Sequence, residues 1–441
     1  MNKRISATSR GRFFVGALAG VSALALAGCA GGSSDTALSE KQTIQVWGWS
    51  GAPGEATMDA VIDAYEAENP NITVEYNEIT NTDYANKATL ALSSKQPIDV
   101  VGVFPNDWAG DNEDFLLPVD QWPGDGSPLD GLSENAVEQT ENLYSDGEAR
   151  SVPMYSNGSV LGFYNPDLLA RAGFSEPPAT WAEMEQFATA LKAVSPDILP
   201  AIVPNDTWLQ GDFLLTLAGN TDPEFWNDLR YHDGDWNTPA TVEAFTQYRS
   251  LFEKGILDAS TLDVPYADAM AAFTTGEAAI VFTGAWEAGL LLDSYREANG
   301  IDLPAVGAMP VPADDPDARG MRAFVDATFG IPVNSSHKSA AADFIRFMTS
   351  GDGVDVWGPT LIGTPALEGW SLPDGTLSSD VAIAGYETIQ ELVNNPNSDR
   401  NVLSNFENQQ GSYALEVAAG NLSPEEAAEK GQADLESGKY N

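Results

Sequence analysis

Tryptophans standing beside short polar side chains are the residues of this chain best suited to act on another molecule. Trp49-Ser50, Asn106-Asp107-Trp108 and Trp286-Glu287 are such groups, Trp208 and Trp226 lie in polar, loop-like surroundings, and Asp326 puts a charge inside the apolar run AFVDATFG. Aromatic faces cover apolar C–H surface, while amides, carboxylates and hydroxyls donate and accept at its rim. The chemistry they suit is reversible binding of a solute with flat apolar faces and a hydroxyl edge. Asp326 is costly in a strand unless it is paired or meets a ligand. For each of the 11 tryptophans, core packing is the competing assignment, because tryptophan is highly buried on average.

Bond-breaking chemistry finds little support. No G-x-S-x-G elbow occurs, and no Walker loop or H-E-x-x-H pair is present. The two histidines, His232 and His337, are far apart in sequence and read as surface residues. Asp233, Asp235 and Asn237 begin like a calcium loop, but Thr238 stands where glycine is required and Ala244 where the bidentate glutamate belongs. Among 65 acidic residues a pair at hydrolase spacing arises by chance, so it identifies nothing. No catalytic residue, metal or cofactor is expected.

These side chains need strands and helices to hold them. Thr43 to Trp49 reads as a strand; within it alternation puts Trp47 and Trp49 on one face, and Trp49 is preferred as the ligand contact. Met58, Val61, Ile62 and Tyr65 then recur at helical spacing, and Asn69-Pro70 ends that helix. Ile72, Val74 and Tyr76 alternate as a second strand, and Ile98 to Phe104 is a continuous apolar run suited to a buried parallel strand. Asn106 to Trp108 follow its carboxyl end, where ligands meet doubly wound sheets. A strand-like segment follows from about Ser151 to Tyr164. Thr180 and Glu183 form a capping box that starts a helix running to about Val194. Helical faces recur at 240–254, 266–275 and 339–349, and the turn-rich link VPADDPDARG covers 311–320. The alternation is that of α/β layers.

The amino terminus resembles an export signal. Lys3, Arg4, Arg10 and Arg12 precede the apolar run from Phe13 to Ala27, which is of signal length and too short to span a bilayer comfortably. It closes on Leu26-Ala27-Gly28-Cys29, similar to a bacterial lipobox, which makes the single cysteine, Cys29, the expected site of lipidation. Removal of residues 1–28 leaves 413 residues and moves the formal charge from −44 to −48. Such a field repels nucleic acid and anionic headgroups, so the expected membrane contact is the lipid alone. Residues 30–41, AGGSSDTALSEK, are small and polar and read as a flexible tether.

Three stretches, in their order and spacing, resemble the extracellular solute-binding proteins of ABC importers, in the branch with the maltose-binding proteins. They are VPMYSNGSVLGFYNPDLLARAGFSEPPATWAEMEQFATA at 152–190, AAFTTGEAAIVFTGAW at 271–286, and Gly330 to Ser350 with its helix SAAADFIRFMTS. The resemblance covers about Thr43 to Ser437. It implies two α/β lobes, each a doubly wound sheet, with the ligand in the cleft between them: 43–157 plus 309–355 as lobe 1, and 158–308 plus 356–441 as lobe 2. It also implies that Asn106, Asp107 and Trp108 match a position contacting the solute, and that Asn157 is a polar contact at the hinge with Tyr155 beside it. The implied function is capture of a sugar, an oligosaccharide, by a monomer that delivers it to permease subunits from the outer face of the cell membrane. A surface-anchored glycoside hydrolase, or a lipoprotein that binds peptide or acts as an adhesin, is the alternative; the last fits the anchor but not the second and third stretches.

Overall fold

The computed structural model describes residues 35–50, 53–225, 228–229, 234–395 and 404–438. Cys29, Trp226, His232 and Asp233 lie outside them. The helix Glu55–Glu68 buries Met58, Val61, Ile62 and Tyr65, the four residues marked by the sequence spacing. Strands β1 (Gln42–Trp49), β2 (Ile72–Ile79) and β3 (Val100–Val103) run parallel, β1 between the other two. Thr180 and Glu183 form the expected capping box at the start of the helix Trp181–Val194.

The sheet beyond β3 is mixed rather than parallel throughout. The segment from Ser151 is one 14-residue strand, β4 (Ser151–Tyr164). Its carboxyl half pairs antiparallel with β5 (Ile280–Gly284) and β6 (Gly307–Pro310). Its amino half pairs antiparallel with β7 (Arg322–Gly330), which also pairs antiparallel with β3, and with the short β8 (Thr364–Pro365). The path through the sheet is β2-β1-β3-β7-β4-β5. The structure therefore gives β4 and β7 ladders along most of their length, so two strands traverse the molecule where a parallel sheet would have used loops.

Three apolar cores hang on these strands. Val152, Met154 and Tyr155 pack with β1, β3 and the helix Lys338–Ser350. Further along β4 the side chains alternate: Val160 and Tyr164 enter a second core with the helices Thr207–Thr221 and Pro239–Glu253, and Leu161 and Phe163 enter a third. That division is the two-residue period of a strand buried on both faces. The core changes again between Met321, just before β7 and in the third cluster, and Val325, on β7 and in the first.

The residues before β1 are fastened to the first core. Asp35 accepts hydrogen bonds from the backbone and hydroxyl of Ser339, Thr36 N–H donates to Ser336 O at 3.3 Å, and Gln42 Nε2 donates to Ala37 O at 3.0 Å. The expected tether thus ends earlier than Lys41. His337 is also less superficial than its sequence suggested: half-buried, it sits 3.1 Å from Asp99, whose carboxylate is buried and also accepts from Ser335 and Gln45 N–H.

In the second core the helices Thr207–Thr221 and Ser404–Ala418 cross at glycine. A Cβ on Gly411 would overlap the Thr207 carbonyl, and one on Gly211 would press on Glu407 O. Both obstacles are backbone and cannot rotate away. Gly411→Ala is expected to destabilise the protein by about 3 kcal/mol, the upper end for overpacking, read as a lower urea midpoint with unchanged slope; an unshifted midpoint would show that the crossing yields.

Candidate functional site

The sequence-selected residues gather in three groups. The first lies at the end of β1. Trp49 is 2% exposed, its ring 4.5 Å from Phe104 and 5.2 Å from Tyr84, with Gly102 leaving room for its edge. It is core in this structure, and Trp47 is the half-exposed member of the pair, which reverses the preference for Trp49. Trp108 joins the same aromatic cluster and donates Nε1 to Ala85 O at 3.2 Å and Thr89 Oγ1 at 2.9 Å. Ser50 Oγ accepts from Asn81 N–H at 3.1 Å, and Asn106 Oδ1 accepts from Trp108 N–H at 2.9 Å as an N-cap. Asp107 is exposed in the helix turn that Asn106 caps. Caps of this kind give Ser50 and Asn106 local backbone work of their own.

The second group joins β4 to β7. Asn157, 1% exposed, donates Nδ2 to Asp326 Oδ2 at 2.8 Å and to Ile362 O at 2.9 Å. The charge in the apolar strand is therefore hydrogen-bonded, as its cost requires. Burial still pushes the Asp326 carboxyl above the ordinary range, against the Asn157 hydrogen bond and the charge of Arg322. Tyr155 is fully buried against Trp357 at 5.6 Å. Among the described residues its hydroxyl and Asn157 Oδ1 have no hydrogen-bond partner, a cost of roughly 1–3 kcal/mol each. Farther along β7, Arg322 lies 3.5 Å from Asp212 and 3.6 Å from Glu407, both buried, and Ser159 Oγ donates to Asp212 at 2.5 Å.

The third group is an aromatic platform at the end of β5. Trp208, 38% exposed, stacks at 28° and 6.0 Å on Tyr266 and lies 5.7 Å from half-buried Trp286. Trp286 Nε1 donates to the Tyr266 hydroxyl at 2.6 Å, and that hydroxyl donates to Glu287 Oε1 at 2.7 Å and sits 2.9 Å from Thr283 Oγ1. One phenolic oxygen thus fixes an indole, a carboxylate and the strand end. The Trp286 ring lies back over Gly284, where any Cβ would collide with it, instead of turning away from the strand. Burial pushes the Glu287 carboxyl up, opposed by the Tyr266 hydrogen bond.

Tyr266 was missed by the sequence reading. It is the first residue of the helix Tyr266–Thr274, after Pro265, and nothing in that local pattern signals that its hydroxyl reaches β5. Two further tryptophans hold core positions: Trp122 donates Nε1 to Leu117 O and Trp357 donates to Met348 O. Among the described residues no cluster of three His, Cys, Asp or Glu could hold a metal ion. The arrangement of the third group is one of stacking faces and rim acceptors.

Comparison with known proteins bears on what such a platform belongs to. A solved chitin oligosaccharide binding protein is 21% identical and superposes with a TM-score of 0.71 over 90% of this chain and 98% of its own. The GacH receptor of Streptomyces glaucescens, solved unliganded and with acarbose, is 20% identical with a TM-score of 0.69, covering 91% of this chain and 100% of its own. These likenesses establish the two-lobed α/β binding-protein fold. In sequence, a Pyrococcus horikoshii protein described as an ABC transporter extracellular-binding protein is 26% identical over 360 residues, 76% of this chain and 77% of that one. Residues 48–354 match the model of the bacterial extracellular solute-binding protein family, a family of binding proteins and not of enzymes, and the chain belongs to it.

Proposed function

We propose that this protein captures a sugar, in the form of an oligosaccharide, between its two lobes and hands it to the permease subunits of an ABC importer. The observation that carries the reading is the Trp208–Tyr266–Trp286 platform with Glu287 at its edge. A pyranose lays its C–H face on such rings and gives its hydroxyls to a carboxylate. Several structurally similar proteins are named for saccharides: chitin oligosaccharide, cyclic α-maltosyl-1,6-maltose and maltose. A Haloferax volcanii relative, 25% identical over 271 residues, is named for xylose and arabinose. Trp47 takes the place of Trp49 as the aromatic contact from β1. Trp226 stays a candidate from the sequence, and Asp107, Tyr155, Asn157 and Asp326 are offered as contacts at the cleft and hinge.

The two lobes are taken as 43–157 with the later part of β7 through 355, and 158 to the early part of β7 with 356–441. Met309, Val311 and Met321 pack with the second and third cores, which favours a second crossing within β7 over one at 309. A ligand touching both lobes binds the closed arrangement better and shifts the population toward it. The protein acts as a monomer, held to the outer face of the cell membrane by a lipid on Cys29.

Titration calorimetry against mono- and oligosaccharides, with an assay for released reducing ends, tests the reading: heat of binding without hydrolysis is expected, and turnover would replace binding with a hydrolase. Trp208 is exposed, so Trp208→Ala is expected to leave the melting temperature within a few degrees while weakening the best sugar by about thirtyfold, the equivalent of ~2 kcal/mol for a rigid aromatic anchor. Normal affinity in that variant removes the platform from the site. Small-angle scattering should show a smaller radius of gyration on adding the sugar that titrates; an unchanged radius would assign the site to one lobe. Cys29→Ser made in the native host should incorporate no labelled fatty acid, and persisting label would rule out Cys29 as the anchor.

A further inference from the structure

The charge at the edge of the platform is not matched by anything described around it. Glu287 is half-buried, and the one group that stabilises its ionised form is a neutral phenol, the Tyr266 hydroxyl at 2.7 Å. Among the described residues no Lys, Arg or His forms an ion pair with Glu287. The nearest candidate along the chain, Arg296, is committed elsewhere: it donates to the carbonyls of Leu290, Leu303 and Pro304 and to Asp293. Arg322 is held between Asp212 and Glu407.

The Tyr266 hydroxyl is fully committed as well. It accepts from Trp286 Nε1, donates its single proton to Glu287, and pairs with Thr283, so it has nothing further to give an incoming group. Tyr295 adds a further aromatic ring: it is 39% exposed, packs on Gly289, and the Glu287 charge pushes its hydroxyl up after burial does. A carboxylate that is partly desolvated, unpaired and walled by aromatic faces favours a cation over a hydroxyl, because a cation compensates the charge as well as donating hydrogen bonds. The net charge of the chain, −44, draws cations toward any such opening.

We infer that the solute carries an ammonium group at the edge of the sugar ring stacked on Trp208 and Trp286, and that Glu287 is its partner: the ligand is an amino sugar or an oligosaccharide containing one. This inference rests on the sugar-binding reading above and narrows it. The Glu287 carboxylate accepts from the ammonium with the oxygen that Tyr266 leaves open, while Tyr266 keeps the carboxylate oriented.

The test is a matched titration of the full protein with three β-1,4-linked oligosaccharides of equal length, built from glucosamine, N-acetylglucosamine or glucose, repeated with Glu287→Gln. Glutamine keeps the shape and the bond from Tyr266 but not the charge. The expected result is binding of the glucosamine oligomer at least about tenfold tighter than either neutral one, falling to within about threefold in Glu287→Gln. That variant changes the total charge by a single unit, so a preference due merely to the acidic surface would survive in it, and its survival overturns the inference. Equal or tighter binding of a neutral oligomer by the natural protein also overturns it and leaves the sugar-binding reading standing. Failure of all three to bind, together with a blank saccharide panel, overturns both.

Discussion

The backbone ladder between β4 and β7 is the constraint on which everything else in the molecule hangs. Ser151 through Ser159 are paired with Gly330 back to Arg322, and the same β4 goes on to bind β5 and β6. Because backbone polar groups buried with their strand must be paired, neither strand can drift without breaking bonds in more than one core. All the candidate contacts of the second group sit on this ladder: Tyr155 and Asn157 from one strand, Asp326 from the other. The register shifts around Tyr155 and between Ser159 and Leu161 are the places where such a ladder twists most.

A second constraint is the arithmetic of one hydroxyl. A phenol has one proton to donate and two lone pairs to accept with, and the Tyr266 oxygen uses them on Glu287, Trp286 and Thr283. This is what makes the platform rigid: the indole cannot rock without losing its acceptor, and Gly284 beneath it supplies a flat seat instead of a side chain. Preorganised rings lose little conformational freedom on meeting a ligand. The two parts of the molecule solve opposite problems, the ladder permitting graded twist and the platform forbidding it.

Much of this was legible in the residues alone. The helix Glu55–Glu68 and the capping box at Thr180 follow from local spacing and local hydrogen bonds, which the sequence displays directly. The mixed sheet was not legible, because strand direction is decided by partners far away in sequence: β4 meets β7 across about 170 residues. The same distance hid the role of Tyr266, an ordinary helix-opening residue until β5 is laid beside it. The choice between Trp47 and Trp49 failed for a related reason. Alternation puts both on one face, but Tyr84 and Phe104, which cover only the second, come from elements that the strand pattern of β1 does not mention.

The exposure of Trp208 has an optical consequence. Trp49, Trp236 and Trp357 are sealed in cores, so their emission is a constant, blue background whatever the solute does. Trp208 is the most open tryptophan among the described residues, with Trp47, Trp108, Trp286 and Trp370 partly covered. The proposed site thus carries its own reporter: a ring stacked on Trp208 would shield that indole from a small neutral quencher, and the change would be read in the protein's own ultraviolet emission without attaching a label.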